Sequence, residues 1–332
     1  MFKVIKGTVI SQYLLENTSG VTEVVKSTYL SHKEGKTNNP DSYFLTFPDN
    51  NKNRIIALPA SIKDEGTQVS GIKWIASYPD NIEKNLQRAS ATLLLNDYQT
   101  GYPLACLEAS QISAHRTAAS GAVAVEALVK SGRRVKTISL IGCGVLGQKI
   151  IDYINFLDLG AAALTAFDAN EEYADHFVER NKNTMPCKKA GSLKEAFEAD
   201  LVVLATTASE PYINHDNVNI TNQIILNISL RDIDTGIIED ALNVVDDVDH
   251  CLKAQTSCHL TEQKLGTRAF INAEIADLLD GSFSDHHDSP IVISPFGLGI
   301  LDLALAYHIY KEKYDSPETV SVSDFLPNMS RL

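Results

Sequence analysis

The sequence predicts an α/β fold built on a doubly wound parallel sheet, with a second, α+β domain beside it. Three observations predict it. First, the apolar run Ile138–Ile141 leads directly into Gly142-Cys143-Gly144-Val145-Leu146-Gly147. Apolar residues at helical spacing follow, at Ile150, Ile151, Ile154 and Leu157. Second, short apolar runs alternate with helical segments from Val135 to Ser294, the rhythm of a parallel sheet. Third, the runs before residue 108 lie close together without crossovers, which predicts an antiparallel or mixed sheet. The 332 residues are long for one core and suggest two domains. We place a substrate-binding and dimerisation domain at 1–118, completed by 298–332, and the parallel-sheet domain at 119–297.

Phe2–Ile5 reads as a strand. A helix follows, with Val21, Val24, Val25, Thr28 and Tyr29 on one face. Polar, turn-rich stretches flank a further strand at Tyr43–Phe47. Arg54–Pro59, Val69–Ala76, Ala91–Leu95 and Leu104–Leu107 read as strands, and Ser113–Lys130 as an alanine-rich helix closed by Gly132. In the second domain we expect strands at Thr137–Ile141, Ala163–Phe167, Leu201–Ala205, Ile224–Ile228, Val244–Val245 and Ile291–Ser294. Helices are expected at Asn170–Asn181, Leu193–Glu198 and Phe270–Leu279, with a long final helix over Leu298–Lys313.

The glycine stretch is G-x-G-x-x-G between a strand and a helix, the context a dinucleotide fingerprint requires. Gly142 permits the tight turn, Gly144 lets the backbone approach a pyrophosphate, and Gly147 lets helix and strand pack closely. The phosphates would meet the amides and positive dipole end of the helix that begins at Val145 and Leu146. The second strand ends at Asp168, 21 residues after Gly147, where an acid that binds ribose belongs. A carboxylate there accepts from ribose hydroxyls and repels a 2′-phosphate, and Ala169 and Asn170 offer no cation. NAD is therefore the expected cofactor, and the domain is of Rossmann type.

Composition excludes several classes. Hydrophobic content of 44% and charged content of 21% are those of a globular protein. Net charge is −13, and no dense basic cluster is present to track a nucleic-acid backbone. No apolar run approaches the ~20 residues of a membrane helix. Lys3 and Lys6 are not followed by the long apolar region of a signal peptide. Five cysteines, an odd number without C-x-x-C, fit reduced thiols and a cytoplasmic protein. His250-Cys251 and Cys258-His259 invite a zinc reading, but a spacing of seven does not match the short ligand hook, and no metal is expected.

Charged residues that interrupt apolar runs are candidates for substrate chemistry. Lys73 sits inside VSGIKWIA, either as a carboxylate ligand or as an edge-strand lysine reaching solvent. Arg116, near the start of the alanine-rich helix, could hold a carboxylate or phosphate through its planar fork, or lie on the surface. Arg54 and Arg88 flank the same sheet. Asp232, Thr206 and Thr207 follow strands at the carboxyl edge of the parallel sheet, where ligands collect.

GIKWIAS, LLLNDYQTGYPLACLEASQISAHRTAA, IGCGVLGQ, ATTASEP and NISLRDID stand in the order and spacing of the ornithine cyclodeaminase/mu-crystallin family. The chain resembles that family over nearly its whole length from about residue 54. The resemblance implies an NAD-dependent enzyme, dimeric through the sheet domain, acting on a small anionic amino acid. Lys73 would bind the substrate carboxylate, and Arg116 would lie by cofactor and substrate. Val145 and Leu146 would meet the pyrophosphate, Thr206 and Thr207 would line the nicotinamide side, and Ser229 would also bind the cofactor. Asp232 would act as acid and base, and the loop Pro295–Gly297 would close over the nicotinamide. RIIALP, SGIKWIAS, Arg88-Ala89-Ser90 and NIS with Asp232 resemble most the members that oxidise a glutamate–diaminopropionate adduct to 2,3-diaminopropionate and 2-oxoglutarate, for siderophores or peptide antibiotics. Two departures argue against ornithine. Tyr43–Phe47 lacks the early arginine of the cyclodeaminases, and Arg88 stands where they carry threonine.

Overall fold

The computed structural model describes residues 1–285 and 288–327, so 328–332 of the expected first domain lie outside it. The chain divides into two compact units, Met1–Arg116 with Leu298 onwards, and Thr117–Gly297.

The first unit begins with β1 (Phe2–Ile5) and two helices, α1 (Gly7–Glu16) and α2 (Thr18–Lys33). The expected single helix is thus broken at Asn17, whose side chain donates to the Tyr13 carbonyl at 2.8 Å. Val21, Val25, Thr28 and Tyr29 form the buried face of α2. The strands that follow are β2 (Thr37–Asn38), β3 (Tyr43–Phe47), β4 (Asn50–Asp64), β5 (Thr67–Ser77), β6 (Ala89–Asp97) and β7 (Pro103–Glu108). They run antiparallel from β4 to β7, while β1 joins β7 in parallel, so the sheet is mixed. Helix α3 (Ser110–Lys130) carries the chain onward. Glu108 caps it by accepting from the Ser110 amide at 2.6 Å.

The second unit holds eight strands, β8 (Thr137–Ile141), β9 (Ala163–Phe167), β10 (Cys187–Lys189), β11 (Leu201–Leu204), β12 (Ile224–Asn227), β13 (Leu242–Val245), β14 (Ile271–Glu274) and β15 (Ile291–Ser294). Their order is β10-β9-β8-β11-β12-β15-β13-β14, and every pairing is parallel. The sheet winds both ways from β8, so the strand order reverses between β8 and β11. That reversal is where a doubly wound sheet opens a crevice at its carboxyl edge. Strands β11, β12 and β15 are buried throughout, as strands covered on both faces must be. The helices are α4 (Val145–Phe156), α5 (Glu171–Asn181), α6 (Leu193–Ala196), α7 (Thr235–Asp240), α8 (Val248–Cys251), α9 (Ser257–Leu265) and α10 (Ile275–Asp280).

The expected helix over Phe270–Leu279 is corrected. Its first part is the strand β14, and only Ile275–Asp280 is helical. The run mixes both periods, and its division falls at Glu274. The Glu274 amide donates to Asp277 at 2.7 Å, in a capping box that starts the helix there. The short edge strand β10 was not expected, because three residues carry too little periodicity.

After Ser294 the chain returns to the first unit as α11 (Gly299–Lys313) and β16 (Val320–Val322), which pairs antiparallel with β1. Helix α11 lies on β4 and β5. The Asn39 side chain accepts its Ile300 amide at 3.1 Å, and Gly71 leaves the space that Leu303 fills. Nine residues of this helix are buried, including the charged Asp302.

Candidate functional site

In the second unit the glycine turn is shaped by contact distances. Gly142 has φ +94°, a region that side chains disfavour, and a Cβ there would stand 2.6 Å from the Ala205 carbonyl oxygen. A Cβ on Gly147 would stand 2.6 Å from the Gly142 oxygen. Gly144 differs, because a Cβ on it would meet nothing within 4 Å. The backbone is therefore bare toward open space at the position where the motif admits a pyrophosphate. Gly144 is also the N-cap of α4 and has no side chain to occupy the first amides of that helix, which begins at Val145 and Leu146. Asp168 follows β9. Its carboxylate accepts from the Cys143 amide at 2.7 Å and the Asn170 amide at 2.9 Å, which orients it beside the glycine turn with lone pairs to spare. These features fit a dinucleotide.

The carboxyl ends of β11 and β12 build a second cluster. The Asp232 carboxylate is wholly buried. Thr206 donates its hydroxyl to one oxygen and Ser229 to the other. The Tyr212 phenol stands against Asp232 and Thr206, and burial, then the Asp232 charge, push its pKa up. Thr207 is exposed beside them. The turn from Ser229 to Asp232 holds Leu230 at φ +68°, a strained geometry for a branched side chain. Asn227 secures it by accepting from the Leu230 amide at 3.1 Å, while its own amide donates to Ser294 at 3.1 Å. The loop Pro295–Gly297 is fixed by buried Asp246, which accepts from the Phe296 amide at 2.9 Å and the Gly297 amide at 2.6 Å.

The first unit carries a charge cluster of its own. Strand β5 lies between β4 and β6, so Lys73 is interior and the edge-strand reading is excluded. Its ammonium donates to Asp302 at 2.6 Å and to Ser113 at 3.1 Å. Arg116, also buried, places Nε 3.2 Å from the same Asp302 oxygen. Burial pulls the Lys73 pKa down to about 8, with Asp302 opposing and Arg116 adding to the fall. For Asp302, burial acts upward, but Arg116 and Lys73 together outweigh it and hold the carboxyl low. One anion thus serves two cations. The other Asp302 oxygen is buried without a hydrogen-bond partner. Arg54, on β4, and Arg88, just before β6, lie half-buried elsewhere on this sheet.

Cys251 and Cys258 pack against each other in a small core with Val245 and Leu252, while His250 bonds Asp247 at 2.7 Å. No group of three or more His, Cys, Asp or Glu suited to a metal occurs among the described residues. Nor does any described helix have the length and apolarity to cross a membrane.

Sequence reasoning missed Asp302, Asp246, Tyr212 and Asn227. For Asp302 the signal was present, one acid inside the apolar run Gly299-Ile300-Leu301-Asp302-Leu303-Ala304. The other three sit in loops or at strand ends, where no period marks them.

The N-((2S)-2-amino-2-carboxyethyl)-L-glutamate dehydrogenase of Staphylococcus aureus is 33% identical over 282 residues, 81% of this chain and 82% of that relative. The solved Δ1-pyrroline-2-carboxylate reductase of Thermococcus litoralis, in complex with NADH and L-proline, superposes with TM-score 0.87 at 23% identity, over 96% of this chain and 100% of the other. An archaeal alanine dehydrogenase dimer with bound NAD gives TM-score 0.84 at 22% identity, over 94% and 96%. The model of the ornithine cyclodeaminase/mu-crystallin family matches residues 9–316, and the chain belongs to that family.

Proposed function

We propose that the chain is an NAD-dependent oxidoreductase acting on the C–N bond of an amino acid. Its substrate in this reading is N-(2-amino-2-carboxyethyl)-L-glutamate, which reacts with water to give 2,3-diaminopropionate and 2-oxoglutarate. The observation that carries the reading is buried Asp232 with its Thr206 and Ser229 hydroxyls, at the sheet edge where Gly142 abuts Ala205 and Thr206. The choice of substrate follows the Staphylococcus relative.

The roles divide by chemistry. Gly142, Gly144, Val145, Leu146, Gly147 and Asp168 hold the dinucleotide, with Thr207, Ser229, Pro295 and Gly297 toward its nicotinamide end. Bound NAD supplies the hydride acceptor. Lys73 and Arg116, both held by Asp302, bind the carboxylate beside the reacting carbon. Arg116 serves the cofactor as well in this reading. Asp232 takes and returns the protons of water and amine, with Thr206 and Ser229 passing them between the buried carboxylate and the substrate. Hydride loss leaves an imine whose addition of water releases the two products.

The outer face of the first sheet supports a homodimer. Register places Trp74, Leu94 and Tyr43 on the face opposite Lys73, and all three are exposed. A cytoplasmic location rests on the five free cysteines.

The direct test incubates the protein with NAD and the adduct, follows NADH absorbance and assays 2-oxoglutarate. NADH with stoichiometric 2-oxoglutarate is expected. Turnover of ornithine, of pyruvate with ammonia, or of a cyclic imine in place of the adduct sinks the substrate. Cofactor binding without any turnover points to a mu-crystallin-like binding protein.

The glycine turn offers a separate test. Gly144→Val should leave the melting temperature near wild type, since a Cβ there would meet nothing within 4 Å, yet weaken NAD binding by roughly tenfold or more. Gly142→Ala should instead lower the melting temperature, with strain of about 1–3 kcal/mol. Equal NAD affinity in Gly144→Val and wild type would move the pyrophosphate elsewhere.

A further inference from the structure

We propose that Ser113 is a positioning residue for Lys73. It takes one of the three ammonium hydrogens and, with Asp302 holding another, leaves a single N–H to receive the substrate carboxylate. Lys73 is buried, and its ammonium donates to Asp302 at 2.6 Å and to Ser113 at 3.1 Å. Among the described residues it has no third acceptor. A buried N–H without a partner is costly, so the third hydrogen calls for an acceptor from outside the protein.

The neighbours of Lys73 explain why a serine is needed. Strands β4 and β6 set Leu58 and Leu93 opposite it, and neither side chain can accept a hydrogen bond. The ammonium is therefore held by helices alone, by Asp302 of α11 and Ser113 of α3. Asp302 is a shared anchor, because Arg116 Nε lies 3.2 Å from the same oxygen that Lys73 uses. With Asp302 alone, Lys73 would keep two unspent hydrogens and pivot about one contact. The Ser113 oxygen adds a second contact on a different element. A hydroxyl is neutral, so it fixes the ammonium without cancelling the charge that attracts a carboxylate. An acid in its place would compete with the substrate.

Helix geometry ties the two cations together. Ser113 and Arg116 are three residues apart on α3, hence on one side of it. That side sends a hydroxyl to Lys73 and a guanidinium to Asp302. One turn of α3 thereby sets both cations about a single anion. Binding groups must be held within about 0.5 Å of the productive geometry, and two contacts on two helices do this better than one. The inference deepens the proposed function and rests on it for the role of Lys73 as carboxylate ligand.

The experiment titrates the NADH-saturated protein calorimetrically with 2-oxoglutarate, below the Lys73 pKa of about 8 so that the ammonium is charged. Ser113→Ala should weaken binding by roughly three- to tenfold, the net effect of one hydrogen bond. Ser113→Thr, which keeps the hydroxyl, should restore most of the loss. Lys73→Met should weaken binding at least as much. Adding Ser113→Ala to it should change nothing further, because Ser113 acts through the lysine. Thermal melts check folding, and Ser113→Ala against Ser113→Thr carries the test should Lys73→Met not fold. Wild-type affinity in Ser113→Ala, or the same loss with and without Lys73, overturns the proposal. Wild-type affinity in Lys73→Met, or no binding by wild type, overturns it together with the role given to Lys73 above. If the variants behave as expected but the adduct is not oxidised, the role of Ser113 stands and the substrate assignment falls.

Discussion

Asp232→Asn should reduce turnover by roughly 10²–10⁴-fold, the range general acid–base groups contribute, while the Kd for NAD stays near wild type. The two effects separate because the carboxylate touches Thr206, Ser229 and Tyr212, whereas the glycine turn and Asp168 lie on other strands. The substitution is nearly isosteric. One side-chain oxygen is kept, and the new amide faces a hydroxyl that can rotate to accept it. A net cost of about 1 kcal/mol in stability is expected, so the fold survives. Asparagine cannot take a proton, and the loss should therefore fall on kcat. Steady-state kinetics with the adduct, together with NAD titration of the same preparation, make the measurement. Near-normal turnover would reduce Asp232 to an anchor for the strained turn at Leu230. Thr206→Val should fall between wild type and Asp232→Asn, because it removes one route for the proton but leaves the base.

Asp302→Asn should destabilise the protein by about 3–5 kcal/mol, the cost of breaking a buried ion pair from one side. The cost is at the upper end of ordinary substitutions because one carboxylate faces two cations, and its loss leaves Lys73 and Arg116 together in a dry site. Adding Lys73→Met to Asp302→Asn should recover part of the loss. A strictly additive double variant would show that the pair is not coupled.

The same cluster sets a pH dependence. The Lys73 pKa is about 8 in the folded chain against an ordinary 10.5, so between these values the unfolded chain binds more protons. Stability contributed by this group therefore rises with pH across that window, and the penalty is fully present below it. Function moves the other way. The neutral amine no longer attracts a carboxylate, so KM for the substrate should climb as pH passes through about 8. In Lys73→Arg that limb should vanish. Asp302→Asn should shift it to lower pH, because nothing then opposes burial.

Much of the parallel-sheet unit could be read from residues in order. Its strands are continuous apolar runs, and the glycine turn has a fixed spacing to Asp168, so local pattern and tertiary role coincide. Where two periods met in one run, at Phe270–Leu279, pattern alone could not place the change from strand to helix. The first unit was harder. Its longer strands were found, though not β2 or β16, and the meaning of Lys73 depended on its being interior, which requires knowing that β4 and β6 flank β5. Its partner Asp302 is 229 positions away. No spacing rule links such residues, although a lone acid on an otherwise apolar helix should have prompted a search for a buried cation. Asp246 and Asn227 hold backbone amides rather than other side chains, and nothing in composition distinguishes them from ordinary loop or strand-end residues.

The return of the chain to its first unit has a consequence for how the protein is made. Residues 299–313 supply the carboxylate for Lys73 and Arg116, and residues 320–322 supply the strand that borders β1. On the ribosome these segments emerge after residues 117–297. Until they do, Lys73 lacks the carboxylate of Asp302, and β1 lacks its outer neighbour in the mixed sheet. The interrupting unit, residues 117–297, is by contrast continuous in sequence and complete before them. The nascent chain must therefore mature from its middle outward, β1 and β5 reaching their final state only when residues 299–322 dock.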